Sequence, residues 1–460
     1  MEGSAIIEAR GEPLRVVVAG AGVAAIEALL ALHATADGLV ATSLLAPDRE
    51  FTYRPLWVAE PFGLSEPKHV EIDRIADDSS AHRVRARLTS VDSAAKTVRT
   101  SDGELLPYDA LLLATGARTV EAVPGALTFG GPNSVPAFSA VLRELERGLI
   151  ERLAFVVPLS ATWSLPVYEL ALLTASHLRR RGVAADLTVV THEALPLAKF
   201  GRPAADRVRE VLAEAGVGLH TAVLATAFED GKLMSAEDRP LAADAVVALP
   251  WLEVPDIPGV PQNSRGFIAT GPAGLVPGLD EVYAAGDATW FPIKQGGIAA
   301  QQADAAAAAI AARAGADVAP PSPDLVLRAA LLTGDSVEYL RTDLSERVDP
   351  IAAGAALWWP PGKVAGRYLA SYLARGSDAV AGAEPLVDLD AYHSVDPQAS
   401  DAGQREALAL ALAAADAEAD WNDYEYALKW LDVAEQLGVV LPPEYAERRA
   451  RWRAAQTPTH

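Results

Sequence analysis

The chain has 460 residues, half of them hydrophobic, with a formal net charge of −22 and no cysteine. That length calls for two or three domains, and the acidity argues against nucleic acid, whose phosphates need Lys and Arg to displace counterions. Without cysteine there are no disulfides, thiolate metal ligands, thiol nucleophiles or redox dithiols, and eight dispersed histidines without HExxH spacing give no expected metal site.

Met1 to Ser4 lack a basic, apolar leader, so the expected location is the cytoplasm. The first strand is Leu14 to Ala19. It runs into Gly20-x-Gly22-x-x-Ala25 and a helix from Ile26 to His33, and Val40 to Ala46 is the next buried strand. This is a βαβ unit on a parallel sheet. Residues 51 to 68 carry three prolines and read as an ordered loop. Short β alternation follows from Arg83 to Arg99, with a hairpin turn at Asp102-Gly103, and then a strand from Tyr108 to Ala114 ending at Thr115-Gly116.

From Val135 to Arg147 the pattern is helical. Leu153 to Val157 opens a second strand-turn-helix unit, with its helix from about Val167 to Arg181 and its next strand from Ala185 to Thr191. A helix from Ala204 to Ala215 and short strands to Leu249 complete it, and Pro255, Pro258, Gly259 and Pro261 form a linker. Val282 to Ala285 is a strand into Gly286-Asp287, and a helix begins near Gly297. The run Gly296 to Ala316 is alanine-rich and interrupted by Asp304 and Arg313, too weakly apolar for a transmembrane span. The end of the chain, Asp401 to Arg453, reads as amphipathic helix rich in Trp and Tyr. It suits docking of a subunit or a protein partner better than membrane anchoring.

The first glycine turn has chemical logic. Gly20 permits the tight bend, Gly22 lets backbone approach a pyrophosphate, and Ala25 lets helix and strand pack closely. Alone, such a turn also fits any strand-to-helix connection. Three further pieces follow in order: Asp109-x5-Thr115-Gly116, Gly266-Phe267-Ile268, and Val282-Tyr-Ala-Ala-Gly286-Asp287. Together they resemble the pyridine-nucleotide-disulfide oxidoreductase superfamily of flavoproteins, over residues 14 to 375. The resemblance implies non-covalent FAD, with its pyrophosphate on the Gly20–Gly22 turn and a ribityl hydroxyl hydrogen-bonded to Asp287. The end of the second strand offers Ala46 where an acid for the adenosine ribose is usual, leaving Asp48 as a substitute.

Within the superfamily the chain resembles sulfide:quinone oxidoreductases, flavocytochrome c sulfide dehydrogenases and type II NADH dehydrogenases. Phe51-x-Tyr53-Arg54-Pro55 resembles their loop over the flavin, and Lys294-x-Gly296-x-x-Ala299 with Gln301-Gln302 is closer to the sulfide branch. A helix starting at Gly297-Ile298 would direct its N–H groups at the flavin, and Lys294 is either a charge at the same edge or a solvated loop lysine. In the second unit, Thr162, Ser164 and Val167 stand where an NAD(P)H turn needs glycine, with Trp163 between, ahead of Tyr168-Glu169. Ordinary NAD(P)H binding is therefore not expected. Trp358 and Trp359, before two prolines, either pack an interface or form a platform for a quinone-like substrate.

The expected fold is α/β with two Rossmann-like dinucleotide-binding domains, the FAD domain (14–150 and 263–318) being interrupted by a degenerate NAD-type domain (151–262). A C-terminal interface domain (319–400) and a helical tail (401–460) follow. The expected function is an FAD-dependent oxidoreductase that transfers electrons through a non-covalent flavin without redox-active cysteines, its donor and acceptor unidentified; a small-molecule or quinone-like substrate fits this reading. The alternatives are an NAD(P)H:quinone-type reductase with a non-standard nucleotide site, and a non-catalytic FAD-binding interaction protein.

Overall fold

A computed structural model describes residues 12–65, 69–131, 133–159, 161–318, 325–344, 351–353, 362–374 and 441–456, with single positions between 412 and 434. In chain order, β1 (Leu14–Ala19), α1 (Val23–Ala36), β2 (Val40–Leu45), β3 (His82–Val84) and β4 (Ala110–Leu113) come first. β5 (Leu127–Thr128), α2 (Ser134–Glu146), β6 (Arg152–Val157), α3 (Leu165–Arg181), β7 (Asp186–Thr191), α4 (Gly201–Glu214), β8 (Gly218–His220) and β9 (Ala245–Ala248) follow. Then come β10 (Val282–Ala284), α5 (Gly296–Arg313), β11 (Val326–Leu332), β12 (Val337–Asp343), β13 (Ile351–Ala353), α6 (Leu369–Ala374) and α7 (Pro443–Gln456).

These strands form two parallel five-stranded sheets, in the orders β10-β4-β1-β2-β3 and β5-β9-β6-β7-β8. Both therefore reverse strand order beside their first βαβ strand, the place where α/β sheets bind ligands at their carboxyl ends. The continuous apolar runs of β1 and β6 suit strands covered on both faces, and Val16 to Ala19 and Leu153 to Val157 are buried throughout. β10 joins the first sheet only after the second is complete, so the first domain is discontinuous in the chain. β11, β12 and β13 make a separate antiparallel sheet, in the C-terminal part.

Helix α1 is apolar nearly all round and lies inside the first domain. It packs on α5 through small residues, Ala24, Ala28 and Ala31 against Ala299, Ala300, Ala303 and Ala307, all buried in one core. The alanine-rich run at 296–316 is thus an internal helix, and no described helix is long and apolar enough to cross a membrane. Helix α3 starts at Leu165, two residues before its expected start, because Pro166 suits a first turn. The proline-rich 51–65 region holds two short 3-10 turns, Arg54–Leu56 and Glu60–Phe62. In the tail, Leu412, Ala415, Ala427, Leu431, Ala434, Tyr445 and Trp452 form a small core of their own.

One fully buried polar residue, Glu27, lies on α1. Its two carboxylate oxygens accept the backbone N–H groups of Tyr368 (2.8 Å) and Leu369 (2.7 Å), pinning the start of α6 to the first domain. Asp304 on α5 is hydrogen-bonded to Glu27, and its Oδ1 is buried without a partner. Two carboxyls in contact cannot both ionise cheaply. Burial raises the Glu27 carboxyl too, but its backbone N–H donors oppose that rise, so it is the more readily ionised of the two. Burial and the Glu27 charge hold the Asp304 carboxyl well above its ordinary range. A raised folded value adds stability that is complete below the unfolded value and is lost as pH rises through the folded one. Asp304→Asn, neutral at every pH, is accordingly expected to lessen the decline in melting temperature as pH rises above the ordinary carboxyl range. An unchanged slope there in melts across pH would contradict this account.

Candidate functional site

A cavity of ≈ 600 Å³ opens at the carboxyl ends of the first sheet and extends to those of the second. Gly20, Gly22, Asp48, Arg54, Pro55, Thr115, Gly116, Gly286, Asp287 and Lys294 all line it. The topology explains why. β1, β4 and β10 lie side by side, so the turns that leave them, at Gly20, Thr115-Gly116 and Gly286-Asp287, meet at one edge.

The two turn glycines do different work. Gly20 has φ +131°, and a Cβ there would lie 2.1 Å from the Ala114 carbonyl oxygen. Only glycine fits. Gly22, the N-cap of α1, would meet nothing within 4 Å. The room beside it is cavity, as a pyrophosphate approaching the helix N-terminus requires. Ala25 is fully buried under the turn and does not line the cavity, in keeping with a packing role.

Asp287 follows β10, and among the described residues no hydrogen bond from the protein reaches its carboxylate. Burial pushes its pKa above the ordinary carboxylate range, while Lys294 and Arg54 oppose that rise through their charges. Such a carboxylate, on a cavity wall and without a protein donor, fits a ligand hydroxyl. Lys294 is 9 % exposed, so it is no solvated loop lysine. Its ammonium donates to the Thr289 carbonyl and lies 4.3 Å from the centre of the Phe267 ring. Burial lowers its pKa to about 8 against the pull of Asp287, so it keeps its charge at neutral pH and loses it as pH rises past that value. Arg54 stacks over Trp57 at 5.6 Å.

Helix α5 begins at Gly296, one residue before the expected start. The Gln295 side chain caps it, accepting the Ile298 N–H at 2.9 Å, while its own amide donates to Arg328 O at 3.0 Å. Gln295, Gly296 and Ala299 line the cavity, whereas Gly297 and Ile298 are buried behind them. Gln301 bonds both backbone groups of Val326, and Gln302 accepts the Gly286 N–H at 2.8 Å. The paired glutamines thus tie α5 to the C-terminal sheet and fix the turn that carries Asp287. Asp48 lines the cavity beyond β2, with its backbone carbonyl bonded to Arg83 at 2.6 Å. Trp358 and Trp359 lie outside the described residues.

In the second domain the nucleotide turn is filled. Glu193, just past β7, stands where a nucleotide-binding domain offers an acid to a ribose. Its carboxylate is already used, accepting Ser164 Oγ at 3.0 Å, Tyr168 Oη at 2.7 Å and Thr191 Oγ1 at 3.2 Å. Ser164, in the altered turn, thus helps to occupy the carboxylate at this position. Trp163 packs on Phe200, with ring centres 6.0 Å apart. NADH and NADPH are therefore expected to bind no better than about millimolar, on the order of −4 kcal/mol. Micromolar binding in a calorimetric titration of either would overturn this.

A further pair lies on the wall shared by the two domains and the C-terminal part. Glu169 on α3 and Lys363 are both buried, line the cavity, and form an ion pair. Glu169 also accepts the Leu332 N–H at 2.9 Å, and Lys363 donates to Ala330 O at 2.9 Å. Burial raises the Glu169 carboxyl and lowers the Lys363 ammonium, each partner opposing the shift of the other. Lys363 was not singled out from sequence. Its only signal was a lone lysine in an apolar segment, answering a lone glutamate in the apolar face of α3.

Two dinucleotide-type sheets, a discontinuous first domain and a cavity spanning both carboxyl edges define the class of two-domain nucleotide-binding flavoproteins. The chain belongs to the pyridine nucleotide-disulphide oxidoreductase family, which it matches over residues 14–156 and 169–311. It is thus an FAD-binding flavoprotein. The unmatched interval, 157–168, contains the altered second turn. Among solved structures, it is similar to the sulfide:quinone oxidoreductase of Aquifex aeolicus (TM-score 0.66, 20 % identity, 74 % of this chain and 86 % of that one). It is also similar to a ferredoxin reductase from Rhodopseudomonas palustris (TM-score 0.54, 19 % identity, 71 % and 81 %). A third is an NAD-dependent persulfide reductase from A. fulgidus (TM-score 0.53, 18 % identity, 71 % and 64 %). At these identities the likeness carries the fold alone.

Proposed function

We propose that the protein is an oxidoreductase that passes electrons through non-covalent FAD, takes them from a donor other than NAD(P)H, and uses no thiol relay. The observation that carries this reading is the single cavity joining the Gly20–Gly22 turn, Asp287 and Lys294 to the buried Glu169–Lys363 pair. FAD, when bound, supplies the two-electron redox chemistry. The chain does the rest. The N-terminus of α1, opened by Gly22, holds a pyrophosphate, and Asp287 accepts a hydroxyl hydrogen bond. Lys294 places positive charge on the same wall, where it favours an anionic reduced cofactor. Glu169, held by Lys363 and the Leu332 N–H, is a buried site that can take or give a proton beside a reacting substrate.

The purified protein is expected to be yellow, releasing FAD on heat or acid treatment. A colourless protein that also fails to take up added FAD would remove the reading. Asp287→Ala is expected to weaken FAD retention by about 1–3 kcal/mol, the cost of leaving a buried hydroxyl without its acceptor. Flavin content equal to wild type after dialysis would count against the role given to Asp287.

A further inference from the structure

The second sheet has lost its phosphate site but not its crevice. Its strand order reverses between β6 and β9, the topological position at which such sheets take ligands. The residues just past the carboxyl ends of β5, β6 and β9 line the same cavity as Gly22 and Asp287: Phe129, Trp163, and Leu249 with Pro250. Leu165, on the first turn of α3, adds to that wall. Phe129, Leu165 and Leu249 are 3 %, 4 % and 5 % exposed, and Trp163 is braced by Phe200. Gly130 lets this wall close, since a Cβ there would meet Pro250 Cγ at 2.9 Å.

None of these five residues is charged. A charged ligand group would be desolvated against these five residues without a partner among them. Flat, rigid side chains such as Trp163, Phe129 and Pro250 favour a planar ring instead. The carboxylate at this end is Glu169, one helical turn beyond Leu165, with its charge balanced by Lys363, and Thr119 and Thr162 add hydroxyls to the wall.

We propose that this crevice binds a small, planar, uncharged aromatic hydroxy compound, its ring against Trp163 and Phe129 and its hydroxyl donating to Glu169. The vacated nucleotide domain then serves as the substrate side of the cavity. This rests on the flavin reading above, because the crevice matters to the reaction only if the rest of the cavity holds FAD.

The test is calorimetric titration of the yellow holoprotein with 2-naphthol, with the flavin absorbance spectrum followed in parallel. Saturable binding that perturbs the flavin bands is expected. The anionic 2-naphthoate, nearly equal in shape, is expected to bind at least about tenfold more weakly, since its carboxylate has no proton to donate to Glu169 and meets a like charge there. Trp163→Ala is expected to weaken 2-naphthol about tenfold through loss of an aromatic wall, with FAD content unchanged. Absence of 2-naphthol binding, equal affinity for naphthoate, or undiminished affinity in folded Trp163→Ala would each overturn the proposal. The naphthol–naphthoate comparison uses wild type and stands even if that variant does not fold. Failure of the flavin reading would show differently, as a protein without FAD.

Discussion

Gly22→Val is expected to give a folded but colourless protein, whereas Gly20→Ala is expected to lose the first domain itself. The two glycines are two residues apart and face opposite physical demands. Gly22 sits at φ −89° and ψ −173°, extended backbone that valine adopts readily, and its missing side chain points into space with nothing within 4 Å. Valine there costs the apoprotein little and fills the approach to the helix N-terminus. FAD occupancy should fall to about a tenth of wild type or less, at least ~1.4 kcal/mol of binding. Gly20, by contrast, has φ +131° and would press a Cβ to 2.1 Å from Ala114 O. Strained backbone of that kind costs roughly 1–3 kcal/mol before the overlap is counted, from a total stability of about 5–15 kcal/mol. Flavin absorbance per mole and thermal melts separate the two. Wild-type occupancy in Gly22→Val would remove the pyrophosphate assignment, and wild-type melting in Gly20→Ala would contradict the packing account.

Lys363→Met is expected to be the most destabilising single change at the shared wall, by about 3–5 kcal/mol at neutral pH, because it leaves a buried carboxylate without its counter-charge. Glu169 would keep only the Leu332 N–H. Its carboxyl is already held above the ordinary range by burial, with Lys363 pulling it down, so removing the lysine raises it further. The sign follows from linkage. A carboxyl with a raised folded value stabilises below its unfolded value and loses that contribution as pH rises through the folded one. The penalty of Lys363→Met should therefore grow from acid to neutral pH. Adding Glu169→Gln should recover most of it by removing the orphaned charge. Denaturant midpoints of the single and double variants across pH decide the matter. A double variant no better than the single one would mean that Lys363 acts through its packing rather than its charge.

What the sequence determined by itself was local. An apolar run, a glycine that must bend, a glycine that must leave room and an alanine that must pack are demands made within a dozen residues, and Gly20, Gly22 and Ala25 meet them in place. The order of the later pieces, Thr115-Gly116 and Gly286-Asp287, was legible because each is a turn leaving a strand of the same parallel sheet. The altered second turn was legible as side chains where backbone must come close.

The tertiary structure decided what those substitutions mean. Glu193 lies 29 residues after Ser164 and is its hydrogen-bond partner. Only the fold shows that this carboxylate is spent on Ser164, Tyr168 and Thr191. Lys294 could be read as solvated or buried until the packing of Phe267 and Thr289 around it closed the choice. The pairs Glu169–Lys363 and Glu27–Tyr368 join residues 194 and 341 positions apart. No local pattern encodes them, because a buried charge is tolerable only when its partner arrives from elsewhere in the chain, and that arrival is set by the packing of whole elements rather than by the spacing of residues.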